Sequence, residues 1–172
     1  DSDDLSALKT GSMRVQVTEL AQKDVWQSDL ITDKNKTDTV NAGIITINGK
    51  DIDTNGKSYS DVVKEINKID GVQASLVENS AGEFRLSIKS TETGAANKIN
   101  FNTKDTSGND LGVSVGAAKL FGDGSILNDD LNVLKAQDME LTADGVNYSS
   151  SSNTVTIDGL KITATKETGD ST

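Results

Sequence analysis

The chain contains no cysteine, no histidine and no proline in 172 residues. Without cysteine there is no disulfide framework and no thiolate metal site. Without histidine the commonest general base, the commonest zinc ligand and every Ser-His or Cys-His nucleophilic arrangement are gone. An enzyme would have to work with carboxylates, Lys, Tyr, Ser or Thr alone. Aromatic residues make up only 3% and are Trp26, Tyr59, Tyr148, Phe84, Phe101 and Phe121. A lone tryptophan can serve as a carbohydrate platform, but its large apolar area suits a core or domain-interface anchor better. No window approaches the length of a membrane span, and no signal peptide opens the chain. The opening DSDDLSALKTG reads as the edge of an excised segment.

What is abundant is acid and small polar residues. Asp and Glu number 27 against 17 Lys and Arg, a net charge of −10. Such a surface repels phosphate backbones and speaks against nucleic-acid binding. Thr, Ser, Asn, Asp and Gly dominate, a composition suited to an extracellular β-rich domain, and regular apolar alternation argues against disorder.

MRVQVTEL (13–20) alternates Met13, Val15 and Val17 with polar residues, the pattern of a half-buried strand. Val25 and Trp26 anchor the weaker pattern that follows, and the polar stretch 32–43 is a candidate linker. GIITINGKDI reads as strand, Asn-Gly turn, strand. One clear helix follows, with Val62, Val63, Ile66 and Ile69 on a single face. Ser58 with Asp61 makes a start signal, Ser60 is an equally good N-cap, and Gly71 ends the segment. VQASLVE (72–78) and EFRLSIKS (83–90) complete a β-β-α-β-β unit.

Beyond it, 97–105 reads as a strand, 111–124 is ambiguous, and 128–138 is expected to hold a short helix with Leu131 and Leu134 inward. MELTADGVNYS (139–149) and NTVTIDGLKITATK (153–166) each read strand, Asp-Gly, strand. Asn-Gly and Asp-Gly suit the type I′ turn because both central residues need positive φ. The expected fold is therefore α+β, mainly β.

Asp51-x-Asp53-x-Asn55-Gly56 begins like a calcium loop. Counted from Asp51, the position that should carry a bidentate Glu is Val62, and a strand rather than a helix precedes the loop. Asp51, Asp53 and Asn55 are thus the only metal candidates, and the reading favours a plain turn. No residue stands out as catalytic, and no cofactor is implied.

Three stretches, in order, resemble bacterial flagellar filament cap proteins. MRVQVTELAQKDVWQS resembles the segment where the family's helical part gives way to its head, and LAQKDVWQS looks closest to the caps of epsilonproteobacteria. Residues 43–95 resemble the flagellin-type "IN" module, with Ile47-Asn48-Gly49, Ile66-Asn67, Gly71-Val72 and Ser90-x-x-x-Gly94. AQDMELTADGVNYSSSSNTVTIDGLKITATKETG resembles the start of the family's C-terminal region.

The resemblance implies two β-rich lobes, one inserted in the other. They are a discontinuous D2-like domain (11–41 and 137–172) and an inserted D3-like domain (42–136). It implies a structural, non-enzymatic part of the cap at the growing filament tip, outside the cell after flagellar type III export. The full-length protein would self-associate into a ring and act on flagellin. The sequence holds no long heptad helices, so the legs that dock a cap are lacking and this stretch is expected to be monomeric. Two other classes remain open: an adhesin-type module recognising host mucin or glycans, and a hydrolase using paired carboxylates.

Overall fold

A computed structural model describes residues 13–168. By contacts the chain divides into two units. Among the described residues, the first comprises 13–23, Glu92–Asn97 and 136–168; the second comprises Asp24–Thr91 and Lys98–Lys135.

The first unit is built on β1 (Val15–Glu19). In chain order its other strands are β10 (Met139–Ala143), β11 (Val146–Ser150), β12 (Thr154–Ile157) and β13 (Leu160–Thr163). β1, β10 and β11 form one antiparallel sheet, and β12 pairs with β13. Both tight turns use the residues that the sequence marks: Asp144 and Asp158 sit at φ 50° and 51°, followed by Gly145 and Gly159 at 80° and 78°. Alternation along the strands sends Val17, Met139, Leu141, Ala143 and Ile157 into one core.

The crossing segment 92–97 docks on this unit through Gly94. A Cβ there would lie 2.8 Å from the Cβ of Ser151, at a φ of +108°. Only glycine permits that approach and that backbone angle together. The Gly94 N–H donates to the Gln22 carbonyl at 3.0 Å, and Thr93 Oγ1 donates to the Ser151 carbonyl at 2.6 Å.

The second unit contains β2 (Val25–Gln27), the hairpin β3 (Ile44–Ile47) and β4 (Lys50–Asp53), and helix α1 (Tyr59–Ile66). Strands β5 (Val72–Glu78), β6 (Phe84–Ser90), β7 (Asn102–Lys104) and β8 (Asp110–Val113) follow. Helix α2 (Val115–Leu120) and β9 (Asn132–Leu134) complete it. The main sheet runs β5-β6-β2-β9. Residues 44–90 form the expected β-β-α-β-β run, and the fold is α+β and mainly β.

Ser58, not Ser60, caps α1: its Oγ accepts from the Asp61 N–H at 3.1 Å. Val62 and Ile66 reach zero exposure beneath the helix. They join Ile45, Ile47, Leu86, Ile88, Trp26, Phe101 and Phe121 in one core.

Four expectations change. The 128–138 stretch is not an α-helix but a 3-10 turn, Asp129–Leu131, running into β9. Leu131 packs on the core, whereas Leu134 is 38% exposed. Asn128 starts the turn by accepting from the Asp130 N–H, and backbone pairing to β2 then draws the chain into an extended edge. The 97–105 strand shrinks to β7, because a 3-10 turn occupies Ala95–Asn97 and the Ile99 amide is drawn to Asp24.

The ambiguous 111–124 stretch divides into β8 and α2, with Gly116 set so close to β3 that a Cβ would lie 2.7 Å from the Ile45 nitrogen. The 32–43 stretch is a strap rather than a free linker. It leaves from the paired backbones of Ile31 and Phe84, is braced by Asp33, and ends where Val40 N–H meets the Lys57 carbonyl.

Candidate functional site

The metal candidates are occupied by the fold itself. Asp51 and Asp53 flank buried Ile52 on β4 and face away from the core. Asp51 Oδ1 accepts from Thr46 Oγ1 at 2.8 Å. Asp53 Oδ1 accepts from the Asn55 N–H at 3.0 Å, and Asn55 Oδ1 accepts from the Gly43 N–H at 3.3 Å. The three oxygens serve three separate backbone or hydroxyl donors, and the Asp53–Asn55 bond is an Asx-turn. Val62, where a calcium loop needs its last carboxylate, lies in the core at zero exposure. Among the described residues no group of three or more acidic side chains is placed to hold a metal ion.

Other acidic loops follow the same pattern. Asp105 has its carboxyl held below the ordinary value chiefly by the backbone and side-chain N–H groups of Asn109. Asp110 is lowered first by the Asn102 amide, and Asp123 first by the Ile126 N–H. Each is a carboxylate stabilised by turn donors on the surface, a structural arrangement rather than a poised acid or base.

Trp26 is an anchor, as its size suggests. It is 3% exposed and stands edge-on to Phe101 at 5.5 Å and to Phe121 at 6.1 Å, while the two phenylalanines stack at 5.4 Å. Beside it lies a cavity of about 440 Å³ rimmed by Lys98, Asn100, Asn102, Asp129 and Asn132. Trp26, Ile99 and Phe101 in its wall are each no more than 3% exposed, so no aromatic face is open for a sugar to stack on. The indole Nε1 is buried without a hydrogen-bond partner.

Sequence reasoning missed the polar cluster at the base of this unit. Asp24, 1% exposed, accepts from the Ile99 N–H at 2.8 Å and from Asn132 Nδ2 at 2.9 Å. Nothing in local spacing marks residues so far apart in the chain as partners.

Among the described residues the acidic side chains singled out above are engaged by turn and hydroxyl donors. No family model matches the chain. Flagellar hook-associated protein 2 of Campylobacter jejuni is 30% identical over an alignment of 195 positions that covers 93% of this chain. The chain also superposes on the flagellar cap protein FliD D1-D2-D3 domains of Escherichia coli, with TM-score 0.65 and 27% identity over 92% of this chain and 47% of that one.

The chain is similar to flagellar cap proteins along nearly all of its length. A structure restricted to the E. coli FliD D2-D3 domains matches with TM-score 0.68 and 24% identity, covering 91% of this chain and 82% of that one, and shows the same fold. The chain spans 30% of the length of the Campylobacter jejuni relative. Its fold matches the part named D2-D3 in the E. coli structure.

Proposed function

We propose that this chain is the head of a flagellar filament cap. It is a structural and assembly element at the growing filament tip, outside the cell, and not an enzyme. In the complete protein the head would take part in a self-associated ring that helps flagellin subunits fold and polymerise. The observation that carries this reading is the match to flagellar hook-associated protein 2 along 93% of this chain, joined to a fold like that of a cap protein's D2-D3 region. The absence of histidine and cysteine and the turn-bound state of the acidic loops are consistent with a scaffold.

The first unit is read as the D2-like domain and the second as the D3-like domain, with bounds that differ from the expected 11–41, 137–172 and 42–136: residues 24–41 fall in the second unit and 92–97 in the first. Support comes from the discontinuous make-up of the first, whose pieces flank both stretches of the second in sequence. Ring formation is assigned to segments outside this stretch, so the chain alone is monomeric in dilute solution.

Light scattering on this chain, and on a version extended by its native flanking segments, tests the proposal. A monomer for the first and a ring-sized particle for the second is the expected pair of outcomes. Two monomers across a wide concentration range would remove the assembly reading.

A further inference from the structure

We propose that Asp24 is the latch of the second unit: one buried carboxylate that keeps the edge strand β9 and the returning segment at Ile99 on the sheet. Its release opens this unit from its base as a discrete local step. The proposal is independent of the family assignment.

The argument starts from where the chain enters and leaves. Asp24 begins the unit; the chain departs after Thr91, returns at Lys98 and departs again after Lys135. Next to each of these places stands a residue that Asp24 holds. Its N–H donates to Ser90 Oγ at 2.9 Å, and its carbonyl accepts from the Ser90 N–H at 2.8 Å. Its Oδ2 accepts from the Ile99 N–H at 2.8 Å, and its Oδ1 accepts from Asn132 Nδ2 at 2.9 Å. The four ends of a unit made of two stretches are thus tied, directly or within a few residues, to one residue.

β9 depends on this latch more than on packing. It is an edge strand of three residues, and its ladder to β2 shifts register between Val25 and Trp26. Val133 and Leu134 are 53% and 38% exposed, so little apolar area holds the strand down. Asn132 supplies what burial does not. Its Nδ2 also approaches the carbonyls of Val25 at 3.0 Å and Leu134 at 2.9 Å. Hydrogen bonds to a buried carboxylate are stronger than neutral ones, and a donor stripped of such an acceptor bears its full desolvation cost. Elements held by few apolar contacts and a small polar cluster open first.

Amide hydrogen exchange on the full chain, compared with Asp24→Asn and Asn132→Ala, tests the latch. The side-chain amide introduced by Asp24→Asn would set an N–H group against the Ile99 donor or the Asn132 donor, leaving one of them unpaired. Expected is a loss of protection at Leu134 and Ile99 of at least roughly tenfold, the scale of one hydrogen bond to a charged group. Leu141 and Tyr148 in the first unit should stay unchanged. Trp26 fluorescence verifies that each variant is folded. If Asp24→Asn fails to fold, Asn132→Ala decides alone. Unchanged protection at Leu134, or an equal loss at Leu134, Leu86 and Ile45, would overturn the proposal, because Asp24 would then hold nothing locally or would only add to overall stability.

Discussion

The side chain of Asn67 grips the backbone of Ala74 at both of its polar groups: Nδ2 donates to the Ala74 carbonyl at 3.1 Å, and Oδ1 accepts from the Ala74 N–H at 2.7 Å. An amide side chain here makes the two bonds that a neighbouring strand would make. It also joins the end of α1 to the edge strand β5, whose other side is fully paired with β6. An open edge is a template for pairing with another chain, and this one is stoppered near its start. Asn67→Ala should destabilise the second unit by about 1–3 kcal/mol. Scattering at high concentration should rise above that of the parent chain, and equal scattering would show that the stopper does not protect the edge.

Ser58→Ala removes the N-cap of α1 and should cost about 1 kcal/mol in denaturant unfolding followed at Trp26. Ser60→Ala should stay within about 0.5 kcal/mol, because the cap bond belongs to Ser58. The pair separates a capping effect from a general loss of serine in the first turn.

Gly94→Ala is expected to be the more damaging of two glycine changes. It places a methyl against Ser151 while holding φ at +108°, at a cost on the order of 2–3 kcal/mol. Gly124→Ala meets nothing within 4 Å at φ +98°. It should show only the backbone term, about 1 kcal/mol. Equal thermal midpoints for the two variants would contradict the docking role of Gly94.

The pKa shifts give stability a slope at both ends of the pH range. Asp105 and Asp123 have folded values below the ordinary 3.8. Their contribution is complete above that value and is lost as pH falls through the lower folded one. Asp105→Asn should therefore flatten the acid limb of a stability-pH curve. Tyr59 is raised above 10.0 by burial, then by Asp33 and Asp38. Its contribution is present below pH 10.0 and lost as pH rises through the raised value, so Tyr59→Phe should flatten the alkaline limb.

Much of the secondary structure was legible because its causes are local. Asn48-Gly49, Asp144-Gly145 and Asp158-Gly159 all adopt positive φ at both central positions, as their side chains allow. The i, i+4 pair Val62 and Ile66 announced the buried face of α1. The stretch around Leu134 was not legible, since its spacing fits a short helix while pairing with β2 makes it a strand. Position twelve of the Asp51 loop was legible as Val62 in the sequence, and the structure buries that residue in the core.

What the sequence determined by itself is the set of turns, the one capped helix, the alternating strands and the lack of His and Cys chemistry, together with a family likeness carried by ordered motifs. These depend on residues a few positions apart, whose preferences act before any tertiary contact forms. Only the tertiary structure decided that Asp24 gathers Ser90, Ile99 and Asn132, that Asn67 stoppers β5, and that Gly94 must meet Ser151 without a Cβ. A buried polar group needs a partner, but that requirement does not say which one. The partner is chosen by where the packed core brings distant segments of the chain together.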